Sequence, residues 1–327
     1  MRSGKTGKKL AGIFLIFCAL CGCSGQKEVR EEYFAMDTVI TLTAYGKSAE
    51  QAVKQAKQAI DNTEQQMSRT LKDSDLSRLN QAGQLEKSQL SSDFLELYHE
   101  AYDMAQQTNG TFDMTLGALS DVWGVGTDHP SIPQEAQLQT AMEHCGWEKI
   151  EETETQIDLH GVSLDFGGIA KGWASDRAAE AVKEAGCDSA LLYLGGNVWA
   201  VGDHQGEPWK IGIADPKDTG KLVGYLTVTD CAVVTSGDYQ RYFEQSGKRY
   251  HHILDRSTGY PAESGLSSVT VISSSGTQAD ALSTACFVSG LEDGMELVQQ
   301  WDAQAVFVTD TGEVVCTPGA EKIFVPS

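Results

Sequence analysis

Residues 165–176, D-F-G-G-I-A-K-G-W-A-S-D, read as a strand that runs through a glycine pair straight into a helix. Val162, Leu164 and Phe166 read as the end of the strand, and Ile169 opens an alanine-rich helical pattern. Gly167 and Gly168 permit a tight turn and close approach to the backbone, while a helix start offers unpaired N–H groups to an anion. Lys171 falls in the first helical turn, where the helix dipole disfavours a cation, and a negative ligand would relieve that conflict. The same residues equally describe an ordinary β–turn–α connection with a solvated lysine.

The segments on either side limit the architecture. Ile40, Leu42 and Ala44 alternate with Thr41 and Thr43, as in a half-buried strand. Ser48 with Gln51 reads as a capping box for a helix carrying Ala49, Ala52, Ala56, Ile60 and Met67. Further helices are predicted over 92–108, 134–144, 169–186, 277–288 and 290–301, and residues 125–135 read as a surface loop. Strands are predicted over 190–194, 209–214, 224–229, 232–235, 268–272 and 303–308. Helices and strands mix without regular βαβ alternation and without an internal repeat, which favours α+β over a doubly wound sheet. The expectation is a mixed α/β domain with largely antiparallel sheets, single or in two closely packed halves.

The N-terminus points to export. Arg2, Lys5, Lys8 and Lys9 precede an apolar run, Leu10–Leu20, that is too short to stay across a bilayer. It ends in Leu20-Cys21-Gly22-Cys23, which resembles a bacterial lipobox. That resemblance implies cleavage after residue 22, lipidation of Cys23 and anchoring at the extracytoplasmic face of the cell membrane, periplasmic or exterior. A plain secretory signal or a short anchor is the competing reading. Residues 23–32 then form a polar tether, and a globular unit runs over 33–327. Removing residues 1–22 takes four basic and no acidic residues, moving the formal net charge from −21 to −25. Such a surface argues against nucleic acid and anionic lipid as direct partners. Cys145, Cys187, Cys231, Cys286 and Cys316 lie beyond residue 23 without a C-x-x-C pair, so no zinc site and at most one or two incidental disulfides are expected.

Four further places hold chemistry-bearing side chains. Asp280 and Thr284 stand four apart on a predicted helix, which puts both on one face. A carboxylate with a hydroxyl is a partial shell for Mg²⁺, although an early helical Asp and a helical Thr also have purely local uses. Residues 235–261 are dense in polar and aromatic side chains, and of the adjacent His251 and His252 only one can face a given site. Asp113, in G-T-F-D-M-T, presents a carboxylate to a ligand or caps a short helix, and S-D-L-S-R-L-N at 74–80 is otherwise a plain helix start.

Taken in order, M-D-T at 36–38, S-D-L-S-R-L-N, G-T-F-D-M-T, the 165–176 motif, L-G-G-N at 194–197, T-S-G-D-Y-Q-R-Y-F, H-H-I-L-D and D-A-L-S-T-A resemble the ApbE family of FAD:protein FMN transferases. The resemblance runs from about Tyr33 to the C-terminus. It implies an exported, Mg²⁺-dependent enzyme that moves FMN from FAD to a threonine or serine hydroxyl of an acceptor flavoprotein and releases AMP. Carried over by position, it assigns metal ligation to Asp280, Thr284 and the Gly168 carbonyl. It assigns FAD contacts to Met36, Ser77, Asp113, Lys171 and Ile253, and catalysis to His252 together with Asp280. A water-accepting FAD pyrophosphatase and a non-catalytic flavin-binding protein are the alternatives.

Overall fold

The computed structural model describes residues 27–327. In chain order its first half contains β1 (Glu28–Ala35), β2 (Thr38–Tyr45), α1 (Ala49–Met67), α2 (Asp75–Ala82) and β3 (Gln84–Glu86). There follow α3 (Ser92–Gln107), α4 (Gly117–Trp123), α5 (Glu135–Glu143), β4 (Glu151–Glu152) and β5 (Gln156–Asp158). The second half begins with α6 (Ala170–Glu184), β6 (Ser189–Leu194), β7 (Asn197–Gly202), β8 (Trp209–Asp215), β9 (Asp218–Val228) and β10 (Cys231–Gly237). It continues with β11 (Tyr242–Gln245), β12 (Lys248–His251), β13 (Leu266–Ser273), α7 (Gly276–Ser289) and α8 (Leu291–Gln300). It closes with β14 (Gln304–Thr309), β15 (Val314–Cys316) and β16 (Phe324–Pro326).

The frame is an eight-stranded sheet in the order β1-β2-β6-β7-β10-β13-β14-β15, antiparallel at every pairing. An antiparallel sheet buries alternate residues on each face, and both faces here are covered over the central strands. Helices α1, α6 and α7 pack on one face, where Ile40, Leu42, Leu192, Val234 and Val271 join Ile60, Ala178 and Leu282 in the main core. The three-stranded sheet β16-β9-β8 covers the other, with Trp209, Ile211, Ile213 and Leu226 against Ala200, Val233, Ile272 and Val306. The expected α+β class and antiparallel sheets are what the chain adopts.

Three local expectations change. Val162, Leu164 and Phe166, read as the end of a strand, are buried loop with a single bridge from Ser163 to Leu116, because their alternation reflects burial in the core and not pairing in a sheet. The polar stretch taken as a tether to residue 32 is already strand from Glu28, because an edge strand can leave alternate side chains in water and still pair its backbone with β2. The Ser48 hydroxyl caps nothing, since Ser48 itself takes a helical conformation. Helix α7 is capped by the Ser275 hydroxyl and, across the structure, by Asp176 of α6. Cys145, Cys187, Cys231, Cys286 and Cys316 are free thiols. Among the described residues no helix is long and apolar enough to cross a membrane.

Candidate active site

One end of the main sheet collects the segments singled out in the sequence. The β1–β2 connection is a two-residue turn in which Met36 and Asp37 both take positive φ, 50° and 57°, the geometry of a type I′ hairpin. The Asp37 carbonyl accepts a bond from the Arg241 guanidinium at 3.0 Å, so the turn is joined to the loop that precedes β11. Thr38 packs against Gly195 of the β6–β7 turn, where an added Cβ would lie 2.1 Å from the Thr38 hydroxyl.

Helices α6 and α7 meet through glycine. A Cβ at residue 172 would stand 2.2 Å from the Gly276 carbonyl oxygen and 2.7 Å from Cβ of Asp280. Asp176 locks this crossing by accepting the N–H groups of Gly276 and Thr277 at 2.6 and 2.9 Å, the Thr277 hydroxyl at 2.8 Å and the Trp199 indole at 2.8 Å. A carboxylate at a helix start satisfies orphan donors and complements the dipole.

The close approach changes the first turn of α6. The Gly172 N–H, whose helical partner would be the Gly168 carbonyl, donates instead to Asp280 Oδ2 at 2.9 Å. The Gly168 carbonyl therefore has no hydrogen-bond partner among the described residues. A Cβ at residue 168 would lie 3.3 Å from Thr284 Oγ1 and 3.4 Å from Phe112, so this backbone sits directly beside the threonine. Lys171 resolves its conflict with the dipole by donating to the Gly167 carbonyl at 3.1 Å and lying 3.9 Å from Asp280 Oδ2. The N–H groups of Gly168 and Lys171 have no protein partner among the described residues, whereas that of Gly167 is taken by Asp165. The corner thus keeps two backbone donors and an ammonium for an anion.

Asp280, Thr284 and the Gly168 carbonyl supply only oxygen. Among the described residues there is no group of three or more His, Cys, Asp or Glu side chains suited to a metal. A single carboxylate with neutral oxygens fits a hard cation that keeps waters and shares phosphate oxygens, as Mg²⁺ does. The unpartnered carbonyl is the structural sign that the set fits.

His251 and His252 turn apart. His251 is buried edge-on against Phe287, donates Nε2–H to the Ala262 carbonyl and accepts the Ile253 N–H at Nδ1. Burial pushes its pKa down to about 4. His252 lies 3.2 Å through Nδ1 from the Arg241 carbonyl, which can only accept, so Nδ1 carries the proton and Nε2 keeps its lone pair. Desolvation first, then the charges of Arg241 and Lys171, push His252 down to about 3. A neutral imidazole with one nitrogen anchored is oriented as a proton acceptor.

The remaining sequence candidates take supporting places. Both oxygens of Asp113 are engaged, Oδ1 by the Thr115 N–H and hydroxyl and Oδ2 by Arg256 at 2.9 Å. Arg256 also forks onto Glu148, which ties the G-T-F-D loop to the turn after His252. The Ser77 hydroxyl donates into the Ser68 and Arg69 carbonyls, holding the loop from which Arg69 reaches Asp165 and the Gly117 carbonyl. Met36 is half-buried with its N–H on Glu64. Ile253 is buried, its carbonyl accepting from Ala262. Cys23 lies outside the described residues. Sequence reasoning passed over Asp176, Ser236, Arg241 and Arg256 as individuals, although each lies inside a motif it had marked.

Known proteins resemble this one along nearly the whole chain. An FAD:protein FMN transferase of Treponema pallidum is 33% identical, covering 94% of this chain and 93% of its own. Its counterpart of Haemophilus influenzae is 30% identical over 96% and 97%. The crystal structure of the ApbE protein of Thermotoga maritima superposes with a TM-score of 0.84 at 30% identity, covering 91% of this chain and 99% of that one. The flavin transferase ApbE of Vibrio cholerae gives 0.80 at 27% identity, again over 91% and 99%. The model of the ApbE family matches residues 36–307, and the chain belongs to that family.

Proposed function

We infer that this protein is a flavin transferase that moves the FMN half of FAD onto a threonine or serine hydroxyl of an acceptor protein, in a reaction that depends on Mg²⁺. The observation that carries the reading is the freed Gly168 carbonyl beside Thr284 and Asp280, with Lys171 linking that set to the anchored imidazole of His252. Asp280, Thr284 and the Gly168 carbonyl would hold the cation, whose chemistry is to neutralise charge on the departing phosphate. The N–H groups of Gly168 and Lys171 and the Lys171 ammonium bind the diphosphate.

A threonine hydroxyl is a weak nucleophile, and Nε2 of His252 accepts its proton as the oxygen attacks the FMN-side phosphorus. The new P–O bond joins FMN to the acceptor, the bond bridging the two phosphates breaks, and AMP leaves. An acceptor hydroxyl presented by a polypeptide requires a site open on one side. The lipobox-like Leu20–Cys23 supports lipidation of Cys23 and residence on the extracytoplasmic face of the cell membrane.

Intact-mass spectrometry of a threonine-bearing acceptor, incubated with the protein, FAD and Mg²⁺, should show one added FMN. AMP should appear in equal amount, and both should disappear with EDTA. Free FMN and AMP with an unmodified acceptor would replace this reading with hydrolysis.

A further inference from the structure

The hydroxyl of Thr284 belongs to a chain of hydroxyls. Ser236, near the end of β10, has its Oγ 3.3 Å from Thr284 Oγ1 and 2.8 Å from Ser283 Oγ. Ser283 Oγ lies 2.9 Å from the Asp280 carbonyl. Each hydroxyl has one proton, and a carbonyl oxygen can only accept. The Ser283 proton is therefore spent on the Asp280 carbonyl. The contact between Ser236 and Ser283 must then use the Ser236 proton. The contact between Thr284 and Ser236 is left with the Thr284 proton. One end of the chain has no choice, and it sets the direction of all three bonds.

We propose that Ser236 is a positioning residue for the cation site, accepting the Thr284 proton so that the threonine oxygen offers only lone pairs to a divalent cation. Ser236 and Ser283 are buried, so water does not compete for these bonds. Asp280 takes part at both ends, since its carbonyl fixes the chain while its carboxylate holds the Gly172 N–H that frees the Gly168 carbonyl. The inference rests on the cation site assigned above and adds a residue outside it. Groups behind a metal ligand commonly matter to affinity because they set the ligand's orientation.

The test uses Mn²⁺ as the probe, with free ion followed by electron paramagnetic resonance in the presence of saturating FAD. Ser236→Ala should weaken Mn²⁺ binding about tenfold, while the thermal midpoint of the metal-free protein stays near that of the wild type. Ser236→Thr and Ser236→Val are nearly the same shape and differ in the hydroxyl. The threonine variant should keep wild-type affinity and the valine variant should lose as much as alanine. Equal binding by the threonine and valine variants, or wild-type affinity in Ser236→Ala, overturns the role of Ser236. A wild-type protein that binds no Mn²⁺ overturns the cation site itself, and the relay with it.

Discussion

The paired histidines show how one residue step divides two tasks. His251 points into the core and His252 toward Lys171, as adjacent positions in an extended segment must. Both are held neutral, at about 4 and about 3, against an unfolded value of about 6.5. Below pH 6.5 the unfolded chain binds protons that the native chain refuses, so stability is full above 6.5 and falls as pH drops toward 4 and then 3. Urea unfolding at pH 7.5 and pH 5.0 should give a lower midpoint at pH 5.0, and a midpoint unchanged between them would refute the depressed values. The same shift governs catalysis. The acid limb of kcat/KM reports the free enzyme, so any limb due to His252 lies well below pH 6.5, and His252→Asn should reduce kcat by about 10²- to 10⁴-fold. The sequence showed that only one histidine could serve the site. Which one, and which nitrogen, depends on carbonyls at Arg241 and Ala262 that no local pattern announces.

At the level of elements, the decisive feature is the glycine crossing of α6 and α7. Gly172→Ala drives a methyl into the Gly276 carbonyl and Cβ of Asp280, both on rigid helix, so the helices must separate and carry Asp280 away from Gly172. The expected result is a loss of about 1–3 kcal/mol in chemical unfolding with transfer activity lost as well. Gly168 behaves differently. Its backbone is not in the left-handed region and its nearest neighbours are side chains at 3.3 and 3.4 Å, so Gly168→Ala should fold and work nearly as the wild type. Gly168→Val extends a branch toward Thr284 and should reduce Mg²⁺-dependent turnover far more than it moves the unfolding midpoint. Equal losses in both measurements would place Gly168 in the core and outside the site. The glycine–helix corner was legible because glycine and helical periodicity are local signals, whereas the apolar alternation of Val162, Leu164 and Phe166 marks buried loop and not a strand. The strand β1 was missed because its polar alternation resembles a tether, and β3, β4 and β5, two or three residues each, are shorter than any period can register. The role of Asp176 was missed because the helix it caps begins 100 residues later.

Over the whole molecule the site is a long-range construction. Gly172 and Asp280 are 108 positions apart and Asp37 and Arg241 are 204 apart, so sequence alone could rank candidate residues but could not join them without a family resemblance. The same scale governs access to the acceptor. Between Cys23 and the first residue of β1 lie Ser24, Gly25, Gln26 and Lys27, which fully extended span no more than about 14 Å. A lipid on Cys23 would therefore hold the catalytic unit against the bilayer, while its strongly acidic surface gains nothing from anionic headgroups. With that lipid in place, membrane attachment would rest on it and not on charge. In cells, Cys23→Ser should abolish labelling by a fatty-acid analogue and lower the fraction recovered with membranes, without changing transfer to a soluble acceptor by the purified domain. Transfer to an acceptor embedded in the same membrane should fall in parallel with membrane recovery. A variant that stays with the membrane and remains labelled would place the anchor elsewhere in the leader, and a domain released with undiminished transfer to the embedded acceptor would show that proximity contributes nothing.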